Sequence, residues 1–205
     1  MQVRFIGDIH GDFSAYRELI DGCDRSVQVG DFGIGFLSPY MSDMADQWHG
    51  SGHHQFIRGN HDNPDECPKH IGYIEDGTWW PQYSTMFVGG AWSIDWKFRT
   101  SGYSWWPNEE LSDAELDRMH ELYLDRRPRV MVTHDCPTSV AYELFLKGTD
   151  KKQYLTRTAE AFERMFLEHQ PEVWLFGHWH LSRDRVINGT RFLCLDIDSY
   201  IDLEL

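Results

Sequence analysis

Cysteine is scarce and dispersed. The 205-residue chain has four, Cys23, Cys67, Cys136 and Cys194, with no C-x-x-C spacing. This argues against structural zinc and a disulfide framework, and leaves reduced thiols in a core. Positive charge is also short, with 19 Lys and Arg against 33 Asp and Glu, a net −14. Broad affinity for DNA or RNA needs phosphate-neutralising Lys and Arg, and so does docking on anionic membranes. Neither long nucleic acid nor a membrane is therefore an expected partner. A phosphate substrate survives the argument, because bound metal ions reverse the local field. No apolar run approaches the ~20 residues that span a bilayer. Polar residues interrupt the start by Asp8, so no signal peptide is visible. The expectation is a soluble, cytoplasmic protein whose residues 1–205 form one domain, long enough to bury a core. Aromatic residues are abundant, at 15% with nine Trp, and part of that surface is expected to line a site.

Residues 2–6 read as a strand that stops at Gly7-Asp8-Ile9-His10-Gly11. A helix follows from about Asp12, with Phe13, Tyr16, Leu19 and Ile20 on one face and Asp12 or Ser14 as its cap. Val27 to Val29 is a second strand, ending at Gly30-Asp31. The segment 39–50 has room for a helix through Met41, Met44 and Trp48. Gln55 to Arg58 is a third strand, ending at Gly59-Asn60-His61-Asp62. This order is that of stacked βαβ units. Residues 71–95 look like a run of antiparallel strands, and 97–110 like a long loop. Ser112 and Glu115 form a capping box that opens a helix to about Leu124. Arg129 to Thr133 is a strand ending at His134. A charged amphipathic helix spans about Lys151 to His169. Val173 to Phe176 is a strand ending at Gly177-His178-Trp179-His180. Residues 183–195 form a hairpin about Asn188-Gly189.

Five strand-like runs thus end in nitrogen and oxygen donors: Asp8 and His10; Asp31; Asn60 and His61; His134; His178 and His180. Parallel neighbours would gather all of them along one edge, where open α/β sheets keep their sites. The set lacks thiolate and suits manganese, iron or zinc. It is too large for one ion and about right for two. Asp8 and His10, two apart, share one face of an extended segment, as do His178 and His180.

These blocks, D-x-H, G-D, G-N-H-D, H and G-H-x-H, resemble those of the calcineurin-like metallophosphoesterases over residues 7–180. The resemblance implies a four-layer α/β/β/α sandwich of two mixed sheets. It implies two divalent ions, manganese foremost, with iron, zinc, nickel or magnesium as alternatives. Asp8, His10 and His180 then resemble ligands of the first ion, Asp31 the bridging carboxylate, and Asn60, His134 and His178 ligands of the second. His61 resembles the catalytic histidine, with Asp62 orienting it and raising its pKa for a general-acid role. Arg58 in Arg-Gly-Asn-His is similar to the phosphate-touching arginine of the serine/threonine phosphatase and dinucleoside tetraphosphatase branch. The alternative for Arg58 is a strand-end arginine paired with a carboxylate. That branch also carries Asp-Arg-Gly after its G-D, whereas Asp31 is followed by Phe32-Gly33-Ile34-Gly35. The loop at 97–110 offers Arg99, Trp105 and Trp106 in compensation, against the alternative that both Trp pack beneath the helix opening at Ser112. Segments here also resemble small phage and bacterial members of the family.

The function expected is hydrolysis of a phosphate ester, in the first place as a phosphomonoesterase on a phosphoprotein or small ester. The second reading is a nucleotide phosphodiesterase or dinucleoside polyphosphate hydrolase. The third, from a different class, is a non-catalytic scaffold. The intact His61 and ligand positions speak against it.

Overall fold

The computed structural model describes residues 1–36, 46, 48, 52–149 and 154–205. Two mixed sheets lie face to face. The first contains β1 (Gln2–Ile6), β2 (Ser26–Gln28), β3 (His54–Phe56) and β10 (Tyr200–Glu204), in the order β10-β1-β2-β3. Its first three strands are parallel, and β10 runs antiparallel along β1. The second contains β4 (Trp79–Trp80), β5 (Thr85–Val88), β6 (Val130–Thr133), β7 (Val173–Phe176), β8 (Arg183–Ile187) and β9 (Thr190–Cys194). Its order is β4-β5-β6-β7-β9-β8, with a parallel centre from β5 to β9 and antiparallel edges. Helices are α1 (Phe13–Ile20), α2 (Asp113–Arg126), α3 (Thr138–Ala141, running on as a π-turn to Leu146) and α4 (Arg157–Glu168).

The period of two along each strand sorts side chains into three cores. Val3, Phe5 and Val27 meet Phe87, Val130, Val132, Leu175 and Leu193 between the sheets. Ile6 and Phe56 face Phe13, Tyr16 and Ile20 of α1 on one outer side. Met131, Trp174, Phe176 and Phe192 face Met119, Tyr123, Phe162 and Phe166 of α2 and α4 on the other. The result is an α/β/β/α stack. No helix among the described residues is long and apolar enough to cross a membrane.

Caps fall where local chemistry places them. Asp12 accepts from the Ser14 and Ala15 amides, and Ser112 with Glu115 closes the capping box of α2. Asn188 and Gly189 both have positive φ, as a two-residue hairpin turn requires. Cys67, Cys136 and Cys194 are buried free thiols, and Cys23 is a half-buried one.

Several expectations need correction. Within 71–95 the only antiparallel ladder is Trp79–Trp80 on β5, and β5 itself runs parallel to β6. Its aromatic content reflects burial between layers and not a meander. The stretch 97–110 is a loop as expected, with a 3-10 turn at Trp96–Phe98 and a lone bridge from Ser101 to Trp105. α4 begins at Arg157, where Thr156 caps the Ala159 amide, and not near Lys151. His54, His70 and His169, which lie outside the five motif blocks, are half-buried and hydrogen-bonded to Ser26, Asp46 and the Pro128 carbonyl. The helix expected over 39–50 lies outside the described residues, apart from positions 46 and 48.

Candidate metal centre

Parallel strands β1, β2 and β3 end on the same edge, and so do β5, β6 and β7. The loops that follow carry the donors. Asp8, His10, Asp31 and His180 each bring one ligand atom to within 4.8 Å of all the others. His180 Nε2 lies 3.2 Å from Asp8 Oδ2 and 3.1 Å from His10 Nε2. On the other side of Asp31, His134 Nε2 lies 3.2 Å from Asp31 Oδ1 and 3.2 Å from Asn60 Oδ1. His178 Nδ1 lies 2.9 Å from the same Asn60 oxygen. Seven side chains therefore converge on two adjoining points that share Asp31.

The backbone is bent to achieve this. His10, Asp31, His178 and His180 all have positive φ, between 46° and 68°. Non-glycine residues reach that region at a cost of about 1–2 kcal/mol each, and such strain gathers at functional sites. At Gly59 any side chain would overlap the Asp31 carboxylate and the His134 ring. At Gly177 it would overlap the Asp8 carboxylate.

The donors fit a pair of cations. Two donors held ~2.1 Å from one ion at right angles lie ~3 Å apart, which is the spacing seen here. The outer nitrogens are fixed as well. His134 Nδ1 donates to the Val29 carbonyl at 2.9 Å, leaving Nε2 to face inward with its lone pair. His178 Nε2 meets the Tyr154 hydroxyl at 3.0 Å, and that hydroxyl donates to Asp135 at 3.0 Å, leaving Nδ1 to face inward. The Asn60 amide nitrogen donates to Ser93 Oγ at 3.0 Å, and Ser93 donates on to Glu109 at 2.6 Å. That turns the Asn60 oxygen toward the centre.

Charge follows the geometry. Burial pulls the Asp31 carboxyl up, but the imidazoles of His61, His134 and His10 outweigh it and hold it well below its usual range. Burial pulls the His134 ring down, but Asp31 wins and raises it to about 10. His178 is pushed down to about 3 by burial and by the neighbouring His134. His180 is raised by its hydrogen bond to Asp8. Opposed shifts packed this closely accompany the geometry of a candidate metal-binding cluster.

His61 stands at the edge of the cluster. Its backbone amide donates to Asp31 at 2.7 Å, and its ring Nδ1 lies 2.8 Å from that of His10. Phe36 lies flat against the ring, with centroids 4.7 Å apart at 9°. Burial lowers the ring to about 4, with Asp31 opposing. Burial thus moves the ring away from the imidazolium expected beside Asp62.

Asp62 does not orient the His61 ring. Its buried carboxylate accepts four backbone amides, from Phe32, Gly33, Ile34 and Gly59, at 2.6 to 3.1 Å. It ties the loop after β2 to the loop after β3. Arg58 also departs from expectation. It is 3% exposed, and its guanidinium pairs with Asp76 at 3.0 Å and donates to the Glu109 carbonyl at 2.7 Å. It borders a polar cavity of about 360 Å³ with Asp76, Glu110 and Arg157, and not the cluster. The carboxylate-paired alternative is the one the structure holds.

Arg99 pairs with Asp95 at 2.6 Å, and its guanidinium lies 5.7 Å from the Phe36 ring centroid, one layer beyond His61. Trp106 is buried, 4% exposed, so its face is closed to a ligand. Trp105 is half-buried against Trp96, with centroids 5.5 Å apart. The supporting residues Phe36, Ser93, Glu109, Asp135 and Tyr154 carry no sequence signal of their own, although Asp135 adjoins His134.

A family profile described as calcineurin-like phosphoesterase matches residues 1–182. The chain belongs to the calcineurin-like phosphoesterase family. Solved structures share the fold at low identity. TT1561 of Thermus thermophilus aligns with TM-score 0.65 and 11% identity, over 96% of this chain and 89% of that one. GAP50, described as the anchor in the inner membrane complex of Plasmodium, aligns with TM-score 0.56 and 10% identity, over 97% and 72%. Phosphopantetheinyl hydrolase from Mycobacterium tuberculosis aligns with TM-score 0.50 and 10% identity, over 96% and 90%. No curated protein sequence matches the chain. Fold alone does not fix activity; the family and the His/Asp cluster together suggest a phosphoesterase.

Proposed function

We propose that this protein hydrolyses a small phosphate ester at two divalent ions, one held by Asp8, His10, Asp31 and His180, the other by Asp31, Asn60, His134 and His178. The observation that carries the reading is the convergence of seven side chains on two points that share Asp31, with the outer atoms of His134, His178 and Asn60 already satisfied. Ions bound there supply Lewis acidity and a nucleophile available near neutral pH. The remaining work falls to the chain. Asp31 balances charge on both sides. Asn60 and His178 are held in one orientation by Ser93 and Tyr154. His61, held flat by Phe36, hydrogen-bonds the leaving oxygen of the ester, and its imidazolium form would give that oxygen a proton and regain one from solvent. Asp62 keeps the loops of Asp31 and His61 in register.

Arg58 favours a second reading of the ester type. A dianionic monoester gains most from a cation beside the ions, and Arg58 is held by Asp76 instead. A monoanionic diester needs less. Turnover of nitrophenyl phosphate and bis(nitrophenyl) phosphate by manganese-refilled protein, with His61→Ala beside it, tests both levels. Metal-dependent turnover lost in the variant supports hydrolysis, and the preferred ester gives its class. Equal turnover in His61→Ala removes that residue from the reaction.

A further inference from the structure

We propose that the apolar cavity beside His178 and His180 binds the organic part of the ester, and that this part is an uncharged, flat aromatic group. For what the group is attached to, the inference rests on the phosphoester reading. The cavity holds about 680 Å³, within the ~300–1,000 Å³ of small-molecule sites. Trp92, Ile94, Tyr154, Leu155 and Trp179 form most of its wall, and His178 and His180 open it onto the cluster. Among its described lining residues there is no Asp, Glu, Lys or Arg. A second phosphate or a charged peptide would meet no counter-charge there.

The wall is already built. Trp179 lies flat on Phe145, with centroids 4.3 Å apart at 7°, and edge-on to Tyr154 at 4.9 Å. Its indole Nε1 donates to Asp135 at 3.1 Å. A flat ring docking on it costs little reorganisation. Ile94 and Leu155 stand 65% and 54% exposed at the rim, apolar side chains that a bound aromatic group would cover. The polar cavity at Arg58 has the opposite character, lined by four carboxylates and two guanidinium groups.

The test uses the full chain and two variants of exposed rim residues, Ile94→Gln and Leu155→Gln, alone and combined. 2-Naphthol is titrated against metal-stripped and manganese-refilled protein, with tryptophan fluorescence as the readout and glycerol as control. Saturable naphthol binding that weakens about tenfold in the double variant supports the site. Absent binding, or binding that the variants leave unchanged, overturns it. In parallel, kcat/KM is compared for 2-naphthyl phosphate and methyl phosphate. An aryl preference of about tenfold or more that shrinks in the double variant supports the site's place in the reaction. Hydrolysis of both esters without preference, together with no naphthol binding, overturns it. Naphthol binding without hydrolysis of either ester leaves the cavity site standing and counts against the phosphoesterase reading.

Discussion

Asp31 and Arg58 are both buried charged residues near strand ends, and their surroundings differ in kind. Around Asp31, carboxylate oxygens and imidazole nitrogens of Asp8, His10 and His180 lie within 4.8 Å of one another and His134 Nε2 lies 3.2 Å away, with opposed protonation shifts and no Lys or Arg among them. Around Arg58, the charge is met inside the protein by Asp76 and a backbone carbonyl. Asp62 resembles Arg58 in this respect, since four amides satisfy it. A buried polar group whose partners are complete is holding the fold. A set of donors aimed at a common point, with His134, His178 and Asn60 already bonded at their backs, is prepared for something from outside.

Changes at the two places should have different consequences. The largest is expected for Asp31→Asn, which removes the charge shared by both ion positions. Manganese affinity should fall by more than the ~10–100-fold of an outer-shell change, and hydrolysis with it; calorimetric titration and turnover check this. Unchanged affinity would erase the contrast with Arg58. His61→Ala should retain both ions while turnover falls ~10²–10⁴-fold, the range of proton-transfer groups. Metal analysis beside kinetics separates the two.

Arg58→Met should act through stability. It leaves the half-buried Asp76 with the Gly89 amide but without its guanidinium partner, at a cost of up to ~3–5 kcal/mol in urea unfolding. Turnover per folded molecule should stay near that of the unaltered protein. A large fall in turnover with stability unchanged would return Arg58 to the phosphate. The smallest effect concerns Glu109, whose carboxyl burial raises from 4.5 to about 7. The folded state then holds a proton that the unfolded state releases, so stability falls as pH rises from 4.5 through 7 and levels off above. The full span is at most ~3 kcal/mol. Unfolding midpoints of Glu109→Gln should show a shallower decline over that window than the unaltered protein.

The readable part of this molecule was the part written in local spacing. Gly7, Gly59 and Gly177 beside Asp, Asn and His announced the loops, and the Ser112 capping box opened α2 where expected. The parallel strand ends that gather Asp8, Asp31, Asn60, His134 and His178 also followed from apolar runs of the right length. Strand β10 was missed: Tyr200–Glu204 is an edge strand, fixed to β1 by tertiary contacts such as the Arg4–Asp202 pair and by Ile201 and Leu203 against the core. The roles of Arg58 and Asp62 turn on which partner lies nearest in space, and Asp76 is 18 residues from Arg58. Phe36, Ser93 and Tyr154 support site residues from other loops, an arrangement that spacing along the chain does not encode.

The central claim is that two ions sharing Asp31 make this a hydrolase. Its most direct test is a titration of metal-stripped protein with manganese, following bound ions and phosphate-ester hydrolysis in the same samples. The account predicts that activity climbs to a plateau at two ions per chain, and that His10→Ala and His178→Ala each retain one ion and lose turnover. Hydrolysis that proceeds without metal, or protein that takes up no ion, would contradict it.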